Sequence, residues 1–487
     1  MRRLAPFPRA AVAVVAACKV ALGASVLGRY GWQRDELYYA VAARHLAAGY
    51  VDFPPVLPLV GAGGRLLFGE SRVGLRAIAL VAGAGVVVMC ALIARELGGS
   101  RRAQTIAATA AALTPVLLGT NTLFQPNSFD FLLEATLLWL ATRLSFSPSR
   151  RLWIAVGVVL GVGVETKYTI AVLAACLLVA AAIFRRDLIR LPDLAIALGI
   201  ALVLAAPNVV WEARHNWETV RFLTTNGQSA TSETRPQFLF NLLVIAGFAL
   251  IPVWVVGFRR LHRDRATRWL AWGIGLVCLV YFVAGGKSYY AGPVVVLPLA
   301  AGSLWVERWL VGARRIAITA AVVAVLTVPI LPLAVPVLPA ATAARWHVIK
   351  GRSDYQDELG WGSIVDGAAA AASELRAAGR PAAAVIAANY GEAGALDVLG
   401  KGRGLPPTVS GNMSYRYWRP HRLAAGPFVV VGYGQRWLAS VCSSFRVAAR
   451  VRVPYGVSNQ ERGEPIATCS LRGSLDALWP QLVQPAF

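Results

Sequence analysis

The sequence predicts a polytopic α-helical membrane protein of about eleven spans with a C-terminal α/β extracytoplasmic domain. Three observations carry that prediction. Of 487 residues, 57% are hydrophobic and 15% charged, with a mean hydropathy of +0.56. Apolar runs long enough to cross about 30 Å of hydrocarbon recur along the chain. Beyond residue 340 these runs stop and short apolar segments of mixed periodicity replace them. A soluble single-core enzyme is excluded. The formal charge of +23 would by itself suggest a nucleic-acid partner, and its placement argues against one.

Eleven apolar spans are predicted, at roughly 11–28, 73–94, 104–120, 129–146, 152–165, 168–184, 192–210, 238–256, 269–284, 291–306 and 316–335. With a cytoplasmic N-terminus, the inside segments hold 20 basic residues, among them Arg2, Arg3, Arg9, Arg185, Arg186 and Arg259, against five acidic ones, so +15 of the +23 lies there. The opposite loops, 29–72, 121–128, 211–237 and 285–290, mix both signs, as the positive-inside rule requires. Eleven spans then put the C-terminus outside. The first span follows Arg2, Arg3 and Arg9 like a signal peptide, but Lys19 interrupts it and no small-x-small cleavage site follows, so it is read as a retained helix. Lys19 is costly at a helix centre and must face the bundle or snorkel.

Residues 340–487 alternate helix-like stretches (364–378, 393–399) with β-branched runs (384–387, 428–431, 445–453), which predicts the α/β domain. The division is therefore 1–339, a transmembrane module, and 340–487. Cys18, Cys90, Cys176 and Cys278 lie in apolar spans, where a thiol is a small hydrophobe. Cys442 and Cys469 are the two cysteines of the outer domain, and an oxidising compartment permits their disulfide.

The most informative stretch is the first outer loop, Tyr30-Gly-Trp-Gln-Arg-Asp-Glu-Leu-Tyr-Tyr-Ala40, continuing through Gly49-Tyr-Val-Asp-Phe-Pro-Pro55. Asp35 and Glu36 suit the first turn of a helix, where acids complement the macrodipole. That does not account for Arg34, Tyr38, Tyr39, Asp52 and the paired prolines in the same loop.

With His45-Leu46, these residues resemble the first outer loop of the GT-C glycosyltransferases of the dolichyl-phosphate-mannose protein mannosyltransferase and aminoarabinose transferase group. The resemblance implies a GT-C-type membrane fold, a polyprenyl-phosphate-linked sugar donor and a catalytic acid at Asp35, with a second acid at Asp52. Phe53 stands where some relatives carry a lysine. Glu165-Thr-Lys-Tyr168 is similar to a turn whose lysine contacts phosphate, and Lys287-Ser-Tyr-Tyr290 to a later loop with a basic residue and tyrosines. Asn389-Tyr-Gly-Glu-Ala393 and Gly411-Asn-Met-Ser-Tyr-Arg-Tyr-Trp418 resemble motifs of a bacterial subgroup, either structural turns or ligand contacts.

Such transfer needs a base for the acceptor hydroxyl and cations for the phosphate leaving group. Asp35 is the candidate base and Glu36 its support. Lys167 and Lys287 are, with Lys19, the lysines before residue 340; each is close to tyrosine (Tyr168; Tyr289 and Tyr290), and they are candidates for phosphate binding beside Arg34 and Tyr39. Asp130 and Glu134, one turn apart at the start of a span, are candidates for substrate or metal because intramembrane acids are costly. Asp52 and His215 are the candidate ligands of a divalent metal, on the weak signal of one carboxylate and one imidazole. The loop 211–237 reads as a cover. The competing reading is a carrier or flippase for a lipid-linked sugar, although such proteins place key charges at the midplane within internal repeats. The expected location is the plasma membrane; the acceptor is open.

Overall fold

A computed structural model describes residues 4–225 and 233–483, and helices dominate it. In chain order they begin with α1 (Arg9–Ala24), α2 (Arg34–Ala42), α3 (Val56–Phe68), α4 (Arg72–Glu96), α5 (Arg101–Leu113), α6 (Pro115–Thr120), α7 (Pro126–Phe146), α8 (Arg150–Val164) and α9 (Thr169–Phe184). There follow α10 (Leu191–Arg214), α11 (Glu218–Thr225), α12 (Arg235–Ala246), α13 (Ile251–Arg263), α14 (Arg268–Ala284), α15 (Val296–Trp309), α16 (Ala313–Thr327) and α17 (Leu331–Ala334). The last stretch holds α18 (Ala340–Arg345), α19 (Ser353–Gln356), α20 (Trp361–Ala377), α21 (Tyr390–Leu399), α22 (Gln435–Val441) and α23 (Leu475–Leu482).

The chain forms two compact units. One comprises Met1–Leu27, Leu75–Asn216 and Gly227–Val337; the other comprises Gly28–Gly74, Trp217–Asn226 and Leu338–Phe487. The sequence division at residue 340 is thus amended: the loop 29–72, assigned above to the transmembrane module, folds with the C-terminal residues. The physical reason is α2, whose apolar side chains are buried against residues from beyond 338.

Each of the eleven apolar stretches is helical, in part or throughout. By length and composition, three helices among the described residues can cross a membrane: Arg72–Glu96, Leu191–Arg214 and Ser288–Trp309, the last including a 3-10 turn before α15. The stretch read as one span at 238–256 is two helices, bent by 77°, with Gly247 at φ 87° at the break. The stretch at 104–120 is divided at Thr114, because Pro115 cannot continue α5. Small residues let the helices approach closely. A Cβ on Gly157 of α8 would meet the backbone oxygen of Ala197 in α10 at 2.5 Å. The buried residues of α10, Asp193, Ala197, Ala201, Ala205, Asn208 and Glu212, form one stripe, while Leu202 and Val203 are exposed, as lipid-facing side chains are. Lys19 is buried inside this unit and donates to Asn121 Oδ1 at 3.1 Å, so it faces the bundle. Arg2 and Arg3 lie outside the described residues.

The second unit carries a five-stranded sheet of β1 (Ala384–Ala387), β2 (Thr408–Val409), β3 (Phe428–Val431), β4 (Cys442–Arg450) and β5 (Pro465–Leu471), in the order β2-β1-β3-β5-β4. The pairs of β1 with β2 and β3 are parallel, and those of β5 with β3 and β4 antiparallel. Ile386, Val430, Ala467 and Leu438 form its apolar core with Cys442 and Cys469, which are joined by a disulfide. Of the loop 211–237, Glu218–Thr225 is a helix and residues 226–232 lie outside those described.

Candidate active site

Helix α2 begins at a reciprocal cap. Gln33 Oε1 accepts from the amides of Asp35 (2.7 Å) and Glu36 (3.3 Å), and Glu36 Oε2 accepts from the Gln33 amide at 3.0 Å. Glu36, read above as catalytic support, is thereby a buried capping residue. Of the nine residues of α2, all but Asp35 are buried. Asp35 is half-buried, the least enclosed residue of the helix.

The outer-domain motif Asn389–Ala393 supplies its partner. Asn389 and Glu392 cap α21 reciprocally, and the Tyr390 hydroxyl donates to Asp35 Oδ1 at 2.8 Å. The approach needs glycine: a Cβ on Gly391 would fall 2.5 Å from Arg34 Cγ. Burial pushes the Asp35 carboxyl above its ordinary value, while the Tyr390 hydrogen bond and the Arg34 charge pull it back.

Asp52 accepts from the Tyr38 hydroxyl at 2.9 Å. Burial lifts its carboxyl to about 7, opposed by that hydrogen bond and aided by the charge of Asp35. The second motif, Gly411–Trp418, holds this pair: the Ser414 amide donates to Tyr38 Oη at 2.9 Å, and Ser414 Oγ accepts from the Val51 amide at 3.0 Å. The Tyr38 ring packs at 4.9 Å from that of Tyr390 and 5.8 Å from that of Trp418. Tyr39 packs edge-on against Phe53 at 5.0 Å. Both C-terminal motifs therefore clamp the loop 29–72.

Arg34, read above as a candidate phosphate contact, is engaged by protein groups. Its Nη2 pairs with Glu461 at 2.7 Å and Asp357 at 3.4 Å, and its Nη1 donates to Gln460. Two carboxylates already meet its charge, so Arg34 fastens the loop to residues of the C-terminal region.

The other unit holds the lysines. Lys167 donates to Asn127 Oδ1, and its Nζ lies 4.5 Å from the Tyr290 ring centre and 5.3 Å from that of Tyr289. Lys287 Nζ lies 5.9 Å from the Tyr289 ring, so one ring gathers both cations. Among the described residues neither lysine is ion-paired. Asp130 and Glu134 are buried; Asp130 Oδ2 accepts from Thr169 at 2.7 Å, and its Oδ1 has no hydrogen-bond partner among the described residues. His215 Nδ1 lies 2.7 Å from the Trp211 carbonyl and its ring stacks on Trp211 at 4.1 Å. His215 and Asp52 belong to different units, and among the described residues no group of three or more His, Cys, Asp or Glu gathers as a metal would require.

Asp357 and Glu461 were missed in the sequence, and Tyr390 stood only within a motif left open between structural turn and ligand contact. The one available signal was the tyrosine-bearing motif around Tyr390; nothing local marks the two acids.

A family model described as dolichyl-phosphate-mannose-protein mannosyltransferase matches residues 52–211. Among solved structures, the apo crystal structure of ArnT from Cupriavidus metallidurans is similar over 94% of this chain and 97% of its own, at 16% identity and a TM-score of 0.66. The same protein bound to undecaprenyl phosphate matches over the same shares at 16% identity and 0.62. The arabinofuranosyltransferase AftD from Mycobacteria matches over 80% of this chain and 30% of its own, at 19% identity and 0.51. A comparison with curated proteins finds no match. The fold resemblance expected from the first outer loop is borne out: a polytopic GT-C fold with a small C-terminal sheet domain.

Proposed function

We propose that this chain is a glycosyltransferase of the GT-C type that moves a sugar from a polyprenyl-phosphate donor to an acceptor hydroxyl, with inversion and with Asp35 as general base. The observation that carries the reading is Asp35 itself: the one residue of its helix that is only half-buried, steadied by the neutral Tyr390 hydroxyl. The likeness to a protein bound to undecaprenyl phosphate supports the donor class.

In the proposed step the acceptor oxygen attacks the anomeric carbon on the face opposite the phosphate. Its proton passes to Asp35 as the new bond forms, and the electrons of the broken C–O bond leave with the phosphate. A carboxyl raised above its ordinary value is the stronger base for that transfer. Lys167 and Lys287, gathered at the Tyr289 ring, are read as donor-phosphate-binding residues. Asp52 and Tyr38 keep the loop in place beside the base. The asymmetry of basic loops supports a cytoplasmic N-terminus and an external C-terminal region.

The test is Asp35→Asn in reconstituted vesicles with labelled lipid-linked donor. Covalent product from the natural chain and none from the variant, with unchanged insertion and melting, is expected. Full activity of the variant sinks the assignment, and translocation without product would favour a carrier.

A further inference from the structure

Within the unit of Gly28–Gly74 and Leu338–Phe487 lies a second feature, a cavity of about 590 Å³. It is lined by aromatic residues, Tyr30, Trp32, Trp361 and Tyr455, together with Arg29 and Glu358. Neither Asp35 nor Asp52 lines it, so it is distinct from the carboxylates already described.

Its walls are backbone in unusual conformations. Tyr30 has φ 55°, Tyr455 φ 59° and Gly360 φ 102°. Left-handed backbone at bulky residues costs of order 1–3 kcal/mol each and persists where surroundings over-determine it. Here they do: Arg72 donates to the carbonyl oxygens of Tyr30 (3.1 Å) and Gly28 (2.9 Å), and the Tyr30 hydroxyl donates to the Leu338 carbonyl at 3.1 Å. A Cβ on Gly31 would fall 1.9 Å from the Glu358 carbonyl oxygen. Two strained aromatics and a glycine-only contact around one cavity indicate a constructed recess.

We infer that this cavity is a pyranose-binding subsite that receives the saccharide part of the acceptor. The lining has chemistry that suits a sugar: aromatic surface at Tyr30 and Tyr455 for the C–H face of the ring and the Arg29 guanidinium to donate to ring and hydroxyl oxygens. Tyr455 is 56% exposed although its backbone is strained, which offers a free ring face at the rim. The wall is also continuous with the start of α2. Trp361 Nε1 donates to the Trp32 and Asp357 carbonyls, at 2.9 Å each, Asp357 pairs with Arg34, and Asp35 is the next residue.

As an acceptor subsite the cavity rests on the transfer reading above; as a saccharide site it stands without it. The experiment screens the full chain in nanodiscs against an array of soluble mono- to tetrasaccharides, with glycerophosphoethanolamine as a lipid-headgroup control. The natural protein is expected to retain at least one saccharide. Tyr455→Ala and Arg29→Ala should each weaken that retention about tenfold or more, Tyr455→Trp should preserve it, and Asp35→Asn should leave it intact while abolishing transfer. Retention of no saccharide, retention unchanged in both alanine variants, or displacement by the headgroup control alone overturns the inference. Transfer without retention defeats the cavity alone, and retention without transfer defeats the transfer reading alone.

Discussion

Arg34 and the pair Lys167 and Lys287 were read from the sequence as equivalent cations, and the structure treats them oppositely. Arg34 is buried against Glu461 and Asp357. The lysines make no contact ion pair among the described residues and rest on an asparagine and two tyrosine rings, with the buried acids Asp130 and Glu134 within electrostatic reach of Lys167. A cation paired at contact distance with carboxylates has its field largely cancelled and serves as a fastener, while one whose contact partners are neutral keeps more of its field for a ligand. The acids divide in the same way. Asp35 and Asp52 are each held by a tyrosine hydroxyl, whereas Glu461 is committed to Arg34. The partner's charge, rather than burial alone, separates the residues that hold the fold from those available for chemistry.

The sharpest break of this comparison is Asp35→Asn. It removes the base while keeping the shape, and a loss of about 10³-fold in transfer rate is expected, read as labelled product. Arg34→Met tests the other class. It leaves Glu461 buried without its cation, at a cost of about 3–5 kcal/mol, so the melting transition should fall while Glu461→Gln in the same chain restores part of it. Lys167→Ala and Lys287→Ala should do the reverse, losing roughly 100-fold in kcat/KM with donor and leaving the melt unchanged. A destabilised lysine variant would erase the distinction.

Tyr390→Phe is a finer probe. The Tyr390 hydrogen bond lowers the Asp35 pKa against burial, so its loss raises that pKa further. The base is active when ionised. The acid limb of the pH–rate profile should therefore move to higher pH, with a loss of about tenfold at neutral pH, the order of one hydrogen bond to a charged group. An unmoved limb with lowered activity would leave Tyr390 a packing residue.

Much of the fold was legible because it is local. Apolar runs named the helices, and the strands at Ala384–Ala387 and Phe428–Val431 stood where β-branched residues cluster. The strand at Pro465–Leu471 was missed because its small and polar residues carry little β signal, and it owes its place to pairing on both sides. The bend at Gly247 was missed for a similar reason: apolar composition does not register a positive φ. Asp35 could be found because its motif is contiguous. Its partner Tyr390 lies 355 residues away, and no local pattern encodes that meeting. The same distance hid the carboxylates that redefine Arg34.

The smallest expected effect is on stability, at Asp52. Its folded carboxyl titrates at about 7, above the roughly 3.9 of an unfolded aspartate. The folded state therefore holds a proton that the unfolded state has released, and between about pH 4 and 7 stability falls as pH rises. Above 7 both states are ionised and the full penalty of the half-buried charge persists. Asp52→Asn removes that charge while its amide oxygen can still accept from Tyr38. The variant should melt a few degrees higher at pH 8 and equally at pH 4, as followed by scanning calorimetry. If the gain is instead constant with pH, the carboxyl does not titrate against its burial, and Asp52 belongs with the neutralised fasteners rather than with Asp35.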